Sequence, residues 1–100
     1  MTETLQSTLI GQKVIARSHY AGVHIGTLDA KAGGEVRLKD AHRLWYWKGA
    51  FTLSQVAETG VKAGSRVGVP TPVVEMTEVC EVIPITDEAF ATLEAHVDRQ

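Results

Sequence analysis

An α+β fold, a small mainly antiparallel β-sheet with two helices, is what this sequence predicts, and three observations carry the prediction. β-Branched residues recur at strand spacing through most of the chain, a glycine pair separates two such segments, and two short apolar stripes at helical spacing each begin at a threonine. One hundred residues make one domain, placed at residues 11–100 behind a polar, Thr-rich and flexible segment at residues 1–10.

Lys13 to Arg17 and Tyr20 to Leu28 read as paired strands, with Val23, Ile25 and Thr27 on one face and His24, Gly26 and Leu28 on the other. Lys31-Ala-Gly-Gly is a hairpin turn, and Glu35-Val-Arg-Leu-Lys alternates after it with Val36 and Leu38 toward the core. Arg43 to Trp47 alternates again, which as a strand puts Arg43, Trp45 and Trp47 on one face and Leu44 and Tyr46 on the other. Thr52 and Gln55 fit a capping box ahead of Leu53, Val56 and Ala57, and Gly60 stops that helix. Gly60 to Pro72, with three glycines and two prolines, reads as a mobile loop carrying Lys62 and Arg66. Val73 to Ile85 favours strand, with a slip in alternation between Met76 and Val79 that fits a bulge. Thr86 then caps a second helix that has Asp87 and Glu88 in its first turn and buries Phe90, Leu93 and Val97.

The net charge of -2 and the pI near 6.0 argue against a duplex nucleic-acid partner. The average hides an asymmetry, since residues 1–74 carry a net +4 and residues 75–100 a net -6. The basic part suits a ligand with a few phosphates. A domain this small buries only roughly 60 to 65% of the surface its unfolded chain exposes, so a homo-oligomer, dimer or higher, is expected. A lone Cys80 and an N-terminal stretch without the pattern of a signal peptide point to the cytosol. Apolar runs such as Val82 to Ile85 fall far short of the roughly 20 residues that span a bilayer, so no membrane is expected as a partner.

Tests for chemistry leave little room for catalysis. His19, His24, His42, His96 and Cys80 are nominal metal ligands, but they match no ligand spacing, and neither a metal nor another cofactor is expected. Glu78 and Glu81 flank Cys80 and would raise its pKa, which favours a buried structural thiol over a nucleophile. Glu75, Glu78 and Glu81 read as a solvated acidic edge, because a strand turns the middle one away. Gly60, Gly64 and Gly68 match no phosphate-binding fingerprint. No enzyme is expected.

What remains is Arg43-Leu-Trp-Tyr-Trp-Lys48, which holds three of the six aromatics and two cations in six residues. Trp45 and Trp47 offer faces for a purine at roughly 1–3 kcal/mol per stacked base, and Arg43 offers bidentate contacts to phosphate. A core strand or a dimer interface explains the same tryptophans. Arg17, His19 and His24 form another possible polar cluster near the second strand.

The segments Ala21-Gly-Val-His-Ile-Gly-Thr-Leu28, Glu35 to Ala50, Leu53-Ser-Gln-Val-Ala57 with Gly60-Val61, and Glu81-Val-Ile-Pro-Ile-Thr86 resemble a family of small proteins from phages and prophages. The resemblance runs from about residue 14 to residue 93, and the Arg43-Leu-Trp-Tyr-Trp-x-Gly-Ala50 block is its most specific part. This family in turn resembles the phage Thoeris anti-defence sponges. The resemblance implies a symmetric oligomer in the bacterial cytoplasm that binds cyclic nucleotide immune signals, such as cyclic ADP-ribose isomers, at subunit interfaces without cleaving them. It places ligand contacts at Arg17, Arg43, Trp45, Tyr46 and Trp47, with Arg66 carried over from the loop. The residue reading adds His24 to that set. This chain has His42 where many relatives carry Arg, so no phosphate role is carried over to that position. The alternative is a non-catalytic structural or adaptor oligomer of phage origin, whose Trp-Tyr-Trp strand is only an interface.

Overall fold

In the computed structural model, which describes residues 8–97, the elements run β1 (Lys13–Ser18), β2 (Gly22–Ala32), β3 (Glu35–Tyr46), α1 (Leu53–Thr59), β4 (Arg66–Val67), β5 (Thr71–Met76), β6 (Val79–Pro84) and α2 (Asp87–Ala95). All strand pairs are antiparallel, in the order β4-β3-β2-β1-β6, with β5 also on the outer edge of β3. This is the expected small α+β domain with two helices. The expected flexible segment falls mostly on residues 1–7, outside the described residues. Thr8 to Ile10 form a turn whose Leu9 carbonyl accepts from Gln12 N at 2.9 Å, and Leu9 packs against the core.

β2 and β3 are longer than the alternating stretches predict, because their register shifts twice, between Ile25 and Thr27 and between Leu28 and Ala30. Each shift is a bulge that adds twist and bends the ribbon. The bend brings the two ends of β2 near one short segment. Val79 N donates to Gly34 O at the β2–β3 turn (2.8 Å), while Ser18 Oγ at the β1–β2 turn donates to Thr77 O (3.1 Å). β5 and β6 are separated only by Thr77 and Glu78, yet β5 pairs with β3 and β6 with β1. One continuous stretch therefore spans both edges of the β3-β2-β1 sheet and closes it into a small barrel. The slip expected as a bulge between Met76 and Val79 is instead a break between two strands, at Glu78 with φ +55°.

Closure gives the sheet two apolar faces. The inner one buries Val14, Ala16, Leu28, Leu38, Ala41 and Met76 inside the barrel. On the outer face, Ile15, Ile25 and Leu44 meet α1 through Val56 and α2 through Phe90 and Leu93. Odd and even positions of β1 and β2 divide between these faces as the alternation predicts. Thr52 Oγ1 caps α1 by accepting from Gln55 N (3.2 Å), and Gln55 Oε1 accepts from Phe51 N (2.9 Å), one residue earlier than in a capping box. Thr86 Oγ1 caps α2 by accepting from Ala89 N (3.1 Å), with Asp87 and Glu88 in the first turn.

The Gly60 to Pro72 segment is not the open loop its composition predicts. Val61, Ser65, Val67 and Gly68 are buried, and Val61 N donates to Thr92 Oγ1 of α2 at 2.9 Å. Lys62 N donates to Lys48 O (2.9 Å), Lys48 N donates to Ser65 Oγ (2.9 Å), and the two residues of β4 extend the sheet. Tertiary hydrogen bonds override the flexibility that glycine confers on the isolated segment. No helix among the described residues is long and apolar enough to cross a membrane.

Candidate functional site

β3 and β4 pair Leu44 with Val67 and Tyr46 with Arg66, so Trp45 is an extra residue and, with Tyr46, opposes Arg66. A bulge lets two consecutive side chains escape strict alternation. Trp45, Tyr46 and Arg66 accordingly line one open recess of about 460 Å³. The Trp45 ring rests on bare backbone, since a Cβ at Gly68 would lie 3.4 Å from its Cη2. Both aromatics stay accessible, Trp45 at 59% and Tyr46 at 50%. Large rings left this open on a monomer are surfaces waiting for contact.

Arg43 lies beside this recess. Its carbonyl accepts from Gly68 N at 2.8 Å, and its side chain is exposed. Across the sheet, Arg43 pairs with His24 and His24 with Ala16, so all three share the barrel-interior face, with Arg43 and His24 at its mouth. His24 is buried, and its Nε2 lies 2.9 Å from Ala21 O. Burial pushes its pKa below the ordinary histidine value; the Ala21 carbonyl opposes this and the Arg43 charge adds to it. The folded state thus prefers neutral imidazole, while the unfolded chain takes up the proton near pH 6.5. The stabilisation is fully present above that pH and is lost as pH falls below it toward the lower folded-state pKa. Thermal melts from pH 7.5 to 5.5 are expected to show this loss, and His24→Gln should make the profile flatter. An unchanged slope in the variant removes His24 as the cause.

The sequence places Arg43, Trp45 and Trp47 on one face, and the structure corrects this. The bulge at Trp45 and Tyr46 uses up one residue of alternation, so Trp47 turns to the helix-bearing face and packs with Val23 on the outer core. Arg17 is on that face too. It lines a groove of about 380 Å³ with Trp47, Phe51 and Glu81, and its Nε lies 3.9 Å from Glu81 Oε1. The seven residues expected to act together therefore divide. His24, Arg43, Trp45, Tyr46 and Arg66 lie along the barrel mouth and β4, and Arg17 and Trp47 lie behind the sheet.

Cys80, expected to be buried, is exposed, and its Sγ donates to Arg17 O at 3.3 Å. It is the extra residue of a bulge on the edge strand β6, since Arg17 pairs with Glu81 and Ser18 with Val79. Glu75 and Glu81 do not form a plain acidic edge, because Glu75 accepts from Arg37 (Nε and Nη2 both at 3.0 Å) and Glu81 faces Arg17. His42 is buried, with Nδ1 2.8 Å from Gly68 O and its ring edge-on to Phe90 at 5.8 Å, a packing role. No group of three or more His, Cys, Asp or Glu that could hold a metal ion occurs among the described residues.

Two further cations follow the end of β3 without lining the recess. Lys48 and Lys62 lie just beyond the Tyr46–Arg66 rung, their stems along Gly64 and Gly49. Only a pairing of β3 with the residues near Arg66 reveals this, and a two-residue strand carries no periodicity that announces it. A family model described as a domain of unknown function, DUF6948, matches residues 11–93. No curated protein and no solved structure matches the chain.

Proposed function

The chain belongs to the DUF6948 family, whose description assigns no activity, and on that footing we propose that it is a binding protein that captures a cyclic nucleotide without cleaving it. The observation that carries the reading is the bulge that brings two half-exposed aromatic rings and an arginine to one recess, with Arg43 beside it. Stacked rings and guanidinium groups are what a base and its phosphates require. With the resemblance to the Thoeris anti-defence sponges, the proposed role is that of a phage-encoded sponge in the bacterial cytoplasm. It would sequester immune signals such as cyclic ADP-ribose isomers and so inhibit the host's defence.

Sequestering a dilute signal calls for nanomolar affinity, about -12 kcal/mol. Two stacking contacts supply roughly 2–6 kcal/mol of that. High-affinity ligands have roughly 70–90% of their surface buried, and this recess is too open in one subunit to do that. A second copy closing over it is therefore part of the proposal, and the protein is a homo-oligomer. Calorimetric titration with cyclic ADP-ribose isomers and cyclic di- and trinucleotides tests it. A nanomolar isotherm is expected, lost in Arg43→Ala, with the ligand recovered intact after heat denaturation. Silence across the panel rejects the reading, and a smaller recovered product means catalysis.

Phe51 at 95% exposure and Tyr20 at 87% favour the second reading, an adaptor or structural oligomer. There the exposed aromatics serve as protein contacts, and Trp45→Ala dissociates the assembly in sedimentation.

A further inference from the structure

The packing of His42 accounts for only one of its two ring nitrogens. A carbonyl oxygen can only accept, so the 2.8 Å contact of Nδ1 with Gly68 O is a donation, and it fixes the proton of the neutral ring on Nδ1. Nε2 is then a bare acceptor. It has no hydrogen-bond partner among the described residues, and no buried side-chain nitrogen or oxygen is left unpaired there, so Nε2 reaches solvent although His42 is only 4% exposed. The opening is a recess of about 320 Å³ between the sheet and α2, with Lys13, Thr27, Asp40, His42 and Glu94 as its polar wall.

Strand register assembles that wall. Lys13 pairs with Thr27 and Ile25 with His42, which puts Lys13, Thr27 and His42 on the helix-bearing face that also carries Ile15 and Ile25. Between Lys39 and His42 a bulge sets Asp40 and Ala41 against the single residue Gly26, and Asp40 takes φ +51° there. Phe90 and Glu94, one helical turn apart, close the recess from α2. Lys13 Nζ lies over the Phe90 ring, 4.8 Å from its centroid. None of Lys13, Asp40 and Glu94 joins an ion pair among the described residues. Two carboxylates against one ammonium repel a phosphate, and a simple cation meets Lys13. A ligand with a cationic donor and an anion on one carbon leaves none of these charges unmatched.

We propose that this recess binds a free amino acid, whose ammonium group donates to His42 Nε2 and faces Asp40 and Glu94 while its carboxylate meets Lys13. The site is separate from the recess of Trp45, Tyr46 and Arg66 and does not depend on the nucleotide reading. Its volume is at the lower end of the roughly 300–1,000 Å³ of ligand pockets, as a ligand of this size requires.

Ring spectra of the ¹⁵N-labelled full chain at pH 8, above the ordinary histidine range near about 6.5, test the acceptor first. His42 Nε2 is expected to carry no proton, and a proton found there overturns the site. Titration with each of the common amino acids then follows the same resonance, which at least one of them is expected to move. The matching amine and the matching acid, isobutylamine and isovalerate in the case of valine, should bind at least about tenfold more weakly, since each lacks one charged contact. Asp40→Asn, which tolerates the left-handed backbone, and Glu94→Gln, at an exposed position, should each weaken the amino acid by about tenfold. Silence across the amino acids, equal binding of either fragment, or binding unchanged in both variants overturns the proposal.

Discussion

Gly60→Ala is expected to destabilise the protein by about 3–5 kcal/mol, a large share of the roughly 5–15 kcal/mol that holds a domain of this size folded. Gly60 ends α1 at φ +81° and ψ -157°, a region that is essentially glycine's alone, and strain there is of order 1–3 kcal/mol. A methyl group at this position also has no room. It would overlap Thr92 Oγ1 and come within 2.9 Å of Ala89 O, both on α2. Thr92 Oγ1 donates to Ala89 O (2.7 Å) and accepts from Val61 N (2.9 Å), so moving it undoes the junction of the two helices. Overpacking of this kind adds about 1–3 kcal/mol. Gly33→Ala is the control, since Gly33 has φ +58° with nothing within 4 Å of its Cβ position, and strain alone acts there. Urea denaturation should separate the two variants by at least about 2 kcal/mol. Equal midpoints would mean that the helices are not docked through Thr92.

The double variant Trp45→Ala with Tyr46→Ala is expected to weaken ligand binding at least about thirtyfold, since each ring stacks for roughly 1–3 kcal/mol. Both rings are at least half exposed, so the melting temperature should shift by only a few degrees. Trp47→Ala should behave in the opposite way. Its ring packs on the outer core with Val23, so removal destabilises the fold and leaves the recess intact. Calorimetry and thermal melts on the same samples distinguish the two. Binding that survives in the double variant moves the ligand elsewhere, and a well-folded Trp47→Ala that loses binding restores the single aromatic shelf of the sequence reading.

Much of the fold was legible because its signals are local. Thr52 and Thr86 announce both helices, since a threonine hydroxyl ahead of an apolar stripe satisfies an amide that the helix itself cannot. Gly33 and Gly34 mark the β2–β3 turn, and Val36 and Leu38 are buried as their alternation requires. The exposure of Cys80 is not legible for the converse reason. Its neighbours in sequence say nothing about the bulge that leaves it out of the β1–β6 register.

The candidate site was legible in its residue types and not in its arrangement. The concentration of Trp45, Tyr46, Trp47 and Arg43 is visible in the sequence, but the division between two faces depends on one extra residue opposite Arg66. That bulge exists only because β4 pairs with β3, a contact between segments some twenty residues apart that no periodicity records. Side-chain direction in a strand inverts with each single-residue shift, so one unforeseen bulge sends Trp47 to the opposite face from Trp45. The same long-range pairing turned a glycine-rich segment into a fixed edge and set Lys48 and Lys62 along it.

Local patterns of polarity, capping and turn chemistry thus determined the α+β class, both helices and which strand residues face a core. The register between distant strands, the closure of the barrel and the grouping of aromatic and cationic side chains were decided only by tertiary structure, because these depend on contacts whose energy appears once the chain has folded back on itself.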